Sequence, residues 1–160
     1  DYRGFDLSIV LQGVGNYTVN NGPRSALESM NGSSNQSVTV LDRWTPDNPS
    51  KSMPRANSGY NNNNGFSDRF LENAAFLRVK NLQIGYNWKS VSTVTKGIIS
   101  YARFYIGALN LFTFTNYSGY DPEVTRLQTF AGGENQFLNG YDNGNAPQPR
   151  MFQLGWQINF

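Results

Sequence analysis

The last ten residues alternate with a period of two: Phe152, Leu154, Trp156, Ile158 and Phe160 fall on one face, and Met151, Gln153, Gly155, Gln157 and Asn159 on the other. Successive side chains of a β-strand point to opposite faces, so this pattern predicts a strand with one apolar face and one uncharged, mainly polar face. The same period runs through Phe5, Leu7, Ile9, Leu11, Gly13, Gly15 and Tyr17, set against Asp6, Ser8, Val10, Gln12, Val14 and Asn16. Ala74 to Trp88 and Tyr101 to Phe114 are rich in Phe, Tyr, Leu, Ile and Val, and the Lys89 to Ile99 link between them predicts a hairpin. Leu77 and Val79 alternate on odd positions, but Leu82, Ile84, Tyr86 and Trp88 alternate on even ones, which predicts a β-bulge near Lys80-Asn81. Both faces of the 101–114 stretch are fairly apolar, so the pattern leaves open which one, lumen or lipid side, each residue faces, Asn110 included.

Strands are therefore expected over about 4–17, 74–88, 101–114 and 151–160, with long connections over about 18–73 and 115–150. Those connections far exceed the roughly 12–15 residues of an ordinary structureless loop. The first carries Asn20-Asn21-Gly22-Pro23, Asn31-Gly32-Ser33-Ser34-Asn35 and Asn61-Asn62-Asn63-Asn64-Gly65, all turn-forming chemistry, and reads as a surface excursion. Strands long enough to cross a bilayer when tilted, with short turns on one side and long loops on the other, are the pattern of an outer-membrane barrel. An open sheet edge cannot face lipid, and the smallest single-chain barrels have about eight strands. The predicted fold is thus all-β: an antiparallel transmembrane β-barrel segment, the last four strands of a larger barrel completed by the rest of the same protein.

Composition removes other classes. The chain has 160 residues, 13 Lys and Arg, 11 Asp and Glu, and neither His nor Cys. A disulfide framework, a thiolate or imidazole zinc site, a Cys nucleophile and a Ser-His-Asp relay are all excluded. Only 15% of residues are charged, against roughly 25% in an ordinary soluble domain, while 14% are aromatic. The net charge of +2 is spread thinly and gives no nucleic-acid footprint. No stretch is apolar enough for a transmembrane helix, since even Ala102 to Phe114 is interrupted by Arg103, Gly107 and Asn110.

Several motifs point to one family. Phe76-Leu77-Arg78-Val79-Lys80-Asn81-Leu82-Gln83-Ile84-Gly85-Tyr86 is followed by Ala102-Arg103-Phe104-Tyr105, Asn110-Leu111-Phe112-Thr113 and Tyr117-Ser118-Gly119-Tyr120-Asp121-Pro122-Glu123-Val124. Pro147-Gln148-Pro149-Arg150 precedes the last strand, and Trp44-Thr45-Pro46-Asp47-Asn48-Pro49 with Pro54-Arg55 lies upstream. In order and spacing these resemble the C-terminal end of SusC/RagA-type TonB-dependent outer-membrane transporters of Bacteroidetes. The resemblance implies a 22-stranded barrel in the bacterial outer membrane with an N-terminal plug that is absent from 1–160. It implies import of oligosaccharides or peptides with a SusD-like surface lipoprotein, driven by TonB with ExbB and ExbD through the plug. No catalysis and no cofactor are implied.

The terminal alternation Phe152, Leu154, Trp156, Ile158, Phe160 looks like the signal read by the barrel assembly machinery, although any amphipathic last strand shares most of it. With the C-terminus on the periplasmic side, as the family implies, the 89–99 link is periplasmic and the two long connections are extracellular. There, Trp44, and Tyr117, Tyr120 and Tyr141 beside Asp121 and Asp142, are candidates for contact with substrate or lipoprotein, since aromatic faces and carboxylates suit sugar CH groups and hydroxyls. The competing expectation is that these side chains pack the loops against one another. Asp121, Glu123 and Asp142 match no calcium-loop spacing, and Asp121 with Glu123 is a weak glycosidase pair, so no metal ligand or catalytic residue is assigned. Arg78 and Lys80 are ordinary for a polar lumen. A soluble carbohydrate-binding β-sandwich is the alternative, and its sheets would cover each other's apolar faces.

Overall fold

The computed structural model describes residues 2–31, 34–57, 59, 62–124 and 140–160; Asn61 of the asparagine tract and residues 125–139 of the second long connection lie outside the described residues. The strands are β1 (Phe5–Val14), β2 (Thr18–Asn21), β3 (Leu71–Asn73), β4 (Phe76–Asn87), β5 (Tyr101–Thr115), β6 (Tyr141–Asp142) and β7 (Met151–Asn159); the α-helices are α1 (Gly22–Leu27) and α2 (Val91–Val94). The chain divides into two compact units, one formed by Asp1–Gly15, Phe76–Thr115 and Gln148–Phe160, the other by Asn16–Ala75 and Asn116–Pro147.

The second unit is a finding beyond the sequence, where its residues read as turn-rich excursions. Its centre is the mixed sheet β3-β2-β6, with β3 antiparallel and β6 parallel to β2. Val19, Ala74 and Tyr117 are its buried apolar core, with Tyr17 and Val124 packed on it. Tyr17 belongs here because the alternation of the first strand ends at Val14, and Asn16, at φ +53°, turns the chain out of the sheet. Asn is among the few side chains that tolerate that region. Helix α1 starts where Asn21 accepts a hydrogen bond from the Arg24 N–H at 2.9 Å, with Pro23 in the first turn.

The first unit is a four-stranded antiparallel meander in the order β1-β4-β5-β7, with β4 and β5 as the hairpin. The phase change near Lys80 is a bulge in the ladders. Adjacent Val10 and Leu11 of β1 face Asn81 and Val79 of β4, with Lys80 inserted between them. Val79 and Asn81 in turn face Phe112 and Leu109 of β5, with Asn110 and Leu111 inserted. Each strand thus carries one more residue at this level than the strand before it, which increases the local twist and bend. The bulge in β5 is made at Asn110, at φ +52°, whose side-chain amide donates to the Pro149 carbonyl at 3.1 Å.

Register settles the faces of β5. Phe5, Tyr86, Phe104 and Trp156 lie opposite one another across all four strands, as do Leu7, Ile84, Ile106 and Leu154. With Ile9, Leu82, Ala108 and Phe152, and above the bulge Leu11, Val79 and Phe112, they form one continuous apolar face. Within the unit nothing covers it: Phe152, Leu154 and Trp156 are 77%, 81% and 70% exposed. The architecture is all-β, and within this unit no second sheet packs on the apolar face as it would in a sandwich.

The bulge generates a test. Asn110→Val should lose the left-handed backbone, worth about 1–2 kcal/mol, and also the hydrogen bond to Pro149, whereas Asn110→Gly should lose only the latter. Thermal unfolding of the intact protein in detergent measures both, and equal losses would mean that the backbone at 110 is not held at positive φ.

Candidate functional site

The face opposite the apolar one is polar and braced. Arg103 of β5 reaches across β4 to Asp6 of β1, with Nε to Oδ1 at 3.0 Å and a second guanidinium nitrogen to Oδ2 at 2.5 Å. The pair crosses directly over Gly85, where an added Cβ would lie 2.6 Å from both the guanidinium and the carboxylate. Glycine is therefore what lets two strands that are not neighbours be tied together on this face. Asn87 donates to Asp6 at 3.0 Å and accepts from the Tyr101 hydroxyl at 2.6 Å, and Arg103 also reaches Gln83 at 3.3 Å. A bidentate Arg–carboxylate pair with its remaining valences used is the strong form of this interaction.

In the loop unit a groove of about 650 Å³ is walled by Pro23, Leu27 and Tyr120 and rimmed by Asn116, Ser118 and Ser37. Its floor carries a charge network. Arg24 lies between Glu28 (3.1 Å) and Glu72 (2.9 Å), and Arg69 binds Glu28 from the other side at 2.7 Å. Glu72 also accepts from the Ser118 N–H at 3.0 Å, the Ser118 hydroxyl at 2.9 Å and the Asn21 amide at 3.3 Å. Burial by itself pushes the Glu72 carboxyl up, but the Ser118 donors and the Arg24 guanidinium outweigh it and hold the group below its ordinary 4.5. Every charge on the floor is matched within the protein, an arrangement suited to presenting a fixed surface rather than to moving protons.

The residues singled out from sequence fall into different places. Tyr117 is 6% exposed, and its hydroxyl donates to Asp142 Oδ2 at 2.6 Å. Burial, then the bond to Asp142, raises the Tyr117 phenol well above its ordinary value. Asp142 is 1% exposed and its Oδ1 accepts from the N–H groups of Gly144 and Asn145 at 2.8 and 3.3 Å. Asp121 is buried and accepts from the Glu123 N–H at 2.8 Å, an Asx turn ahead of Val124. Tyr141 is half-buried, its ring against the backbone of Gly22. Trp44 is half-buried in the first excursion, its backbone N–H donating to the Met53 carbonyl, and does not line the groove. Tyr120 alone of the six is widely exposed, at 65%, and it lines the groove. Phe152, Leu154, Trp156 and Ile158 share the apolar face, and Phe160 is exposed just beyond β7.

Sequence reasoning missed the groove floor. Arg24 of α1 and Glu28, which caps its C-terminal end, are spaced four apart, a pairing readable from sequence, but Glu72 and Ser118 meet across 46 residues and leave no local pattern. Because the folded Glu72 carboxyl is depressed, its contribution to stability is fully present above about 4.5 and is lost as pH falls through the lower folded value. Acidification should therefore raise hydrogen exchange at the Ser118 amide before that of the β4–β5 amides, and Glu72→Gln should remove this pH dependence. An unchanged acid profile in Glu72→Gln would contradict the assignment.

No protein-family profile matches the chain. Over 99% of its length it is 30% identical to TonB-dependent receptor P3 of Formosa agariphila and 28% identical to TonB-dependent receptor P26 of the same organism. Over 59% of its length it is 31% identical to TonB-dependent receptor SusC of Bacteroides thetaiotaomicron. The solved RagAB peptide transporter matches 100% of the chain at a TM-score of 0.75 and 28% identity, and the RagAB peptide importer in its closed-closed state matches 99% at 0.75. The chain spans only 15–16% of the length of the two Formosa receptors and 16% of the matched RagAB chain. These relatives are receptors and transporters, not enzymes. Nearly end to end, the chain is a relative of one all-β stretch of SusC/RagA-like TonB-dependent receptors.

Proposed function

We propose that this chain forms four consecutive strands in the barrel wall of a SusC-like TonB-dependent transporter in the bacterial outer membrane. The apolar face meets lipid, and the polar face with the Asp6–Arg103 brace lines the lumen. The observation that carries this reading is the uninterrupted apolar face across four paired strands, uncovered within its own unit. Its dimensions suit a membrane. Phe104 and Phe114 lie level with Phe5 and Gly13 of β1, eight residues apart once the two inserted at the β5 bulge are set aside, about 26 Å along a strand and, at the usual barrel tilt of about 40°, about 20 Å across, most of the roughly 25 Å apolar band of such barrels. The aromatic row Phe5, Tyr86, Phe104, Trp156 then marks one membrane interface.

All the long connections leave the sheet from the end defined by Val14, Phe76, Thr115 and Met151, and the 88–100 link from the other. We place the loop unit outside the cell and the link in the periplasm. The role of the loop unit is to contribute surface for the imported oligosaccharide or peptide and for a SusD-like lipoprotein, with Tyr120 and the groove beside it as the reachable part. The relation to a transporter described as importing peptides supports the transport reading. Energy enters through TonB and a plug supplied by the rest of the protein, and insertion through the barrel assembly machinery.

Arg placed at Leu154 or Trp156 should cost about 2–4 kcal/mol near the membrane midplane, while Arg at Gln153 or Gln157 should cost far less. Detergent-based unfolding of the four variants of the intact protein measures the difference. Equal tolerance would sink the barrel reading, and reversed tolerance would exchange the lipid and lumen faces.

A further inference from the structure

We propose that residues 88–100, the link from β4 to β5, form an interfacial foot seated in the anionic phospholipid headgroups of the leaflet at that end of the sheet. The inference rests on the barrel reading above. Antiparallel neighbours usually close with about 2–5 residues, whereas here β4 ends at Asn87 and β5 begins at Tyr101. The extra length is ordered. Helix α2 is extended by hydrogen bonds from the Thr95 N–H to the Val91 carbonyl (2.9 Å) and from the Gly97 N–H to the Ser92 carbonyl (2.8 Å). The Thr95 hydroxyl donates to Val91 and accepts from the Ile99 N–H, and the Ser100 N–H ties the link to Asn159 of β7.

Val91 is buried and fixes this knot to its unit, yet Val94 and Ile98, four apart on one side of the turn, are 64% and 71% exposed. An ordered segment that buries one valine and displays a second valine and an isoleucine is poorly suited to water. Its charge has one sign: Lys89 and Lys96 are exposed, 88–100 contains no Asp or Glu, and neither lysine has an ion pair among the described residues. The link also continues an apolar surface, since Trp88 follows two residues after Tyr86 in the aromatic row. Exposed apolar side chains flanked by unmatched cations, next to an aromatic row, complement a surface of acyl chains beneath phosphate. Lysine stems can lie along the apolar layer while their ammonium groups meet the phosphates.

The test uses the intact transporter containing this chain, in vesicles, with single nitroxide labels at Val94→Cys, Ile98→Cys, Thr93→Cys and Leu154→Cys. Collisional access to oxygen against a water-soluble nickel chelate is read at each site. The labels at 94 and 98 should favour oxygen, and the label at 93 the chelate. Adding phosphatidylglycerol to phosphatidylcholine vesicles should move 94 and 98 deeper, and Lys89→Glu with Lys96→Glu should abolish that movement. If the Leu154 label is in lipid while 94 and 98 respond like 93, or are shielded from both reagents as beneath a protein partner, the foot is refuted and the barrel reading stands. Persistence of the phosphatidylglycerol effect in the double Glu variant also refutes the foot. A chelate-accessible Leu154 label refutes the barrel reading itself.

Discussion

In a membrane wall of the kind proposed, backbone hydrogen bonding in a medium without water governs the sheet. Each strand of a membrane wall must place every N–H and C=O in a ladder, because an unpaired group in hydrocarbon costs several kcal/mol. The meander β1-β4-β5-β7 satisfies this internally and leaves only the outer edges of β1 and β7 for further strands. From that requirement follow the strict registers, the restriction of irregularity to one level at Lys80 and Asn110, and the concentration of apolar side chains on one face. Fully burying a Leu, Ile or Phe is worth about 1.5–3 kcal/mol, so a face of this size gains much from a covering, which the proposed lipid contact supplies.

The polar face answers a different demand. Asp6 and Arg103 are tied over Gly85 with Asn87, Tyr101 and Gln83 closing the network, so these two charges are compensated in place. Cross-strand pairing on one face and apolar packing on the other brace the same strands from both sides. The loop unit repeats the logic with shorter elements: Glu72 and Glu28 each collect several donors, and Tyr117 with Asp142 joins the core to the β6 turn. Long connections that carry their own core and charge network can present a fixed surface, which structureless loops cannot.

The all-β class was legible because strands that face different media on their two sides must alternate, and the last strand does so from Phe152 to Ile158 without a break. The bulge was legible for the same reason, since an inserted residue inverts the phase from Leu77 and Val79 to Leu82 and Ile84. The faces of β5 were not, because Ala102 and Ala108 dilute its apolar side while Leu109 and Tyr105 lie on the other; only the opposition of Phe104 to Tyr86 and Trp156 decides it. That the long connections pack against themselves was an open expectation, but which residues meet was hidden. Its contacts join residues dozens of positions apart, Glu72 to Ser118 and Arg24 to Glu72, and turn-forming Asn and Gly mask a core of a few side chains. Of the site, aromatic and acidic residues could be picked out by type, but whether Tyr117 and Asp142 met each other or faced solvent depended on that unseen packing.

If one face of this sheet meets lipid, that face must change phase at Lys80, where the ladder is interrupted. A residue-by-residue nitroxide scan of β4 in the reconstituted intact protein, reading oxygen accessibility, tests it most directly. Maxima are expected at Leu77 and Val79, then a slip at Lys80, and then maxima at Leu82, Ile84 and Tyr86. An unbroken period of two through Lys80, or no alternation along the strand, would contradict it.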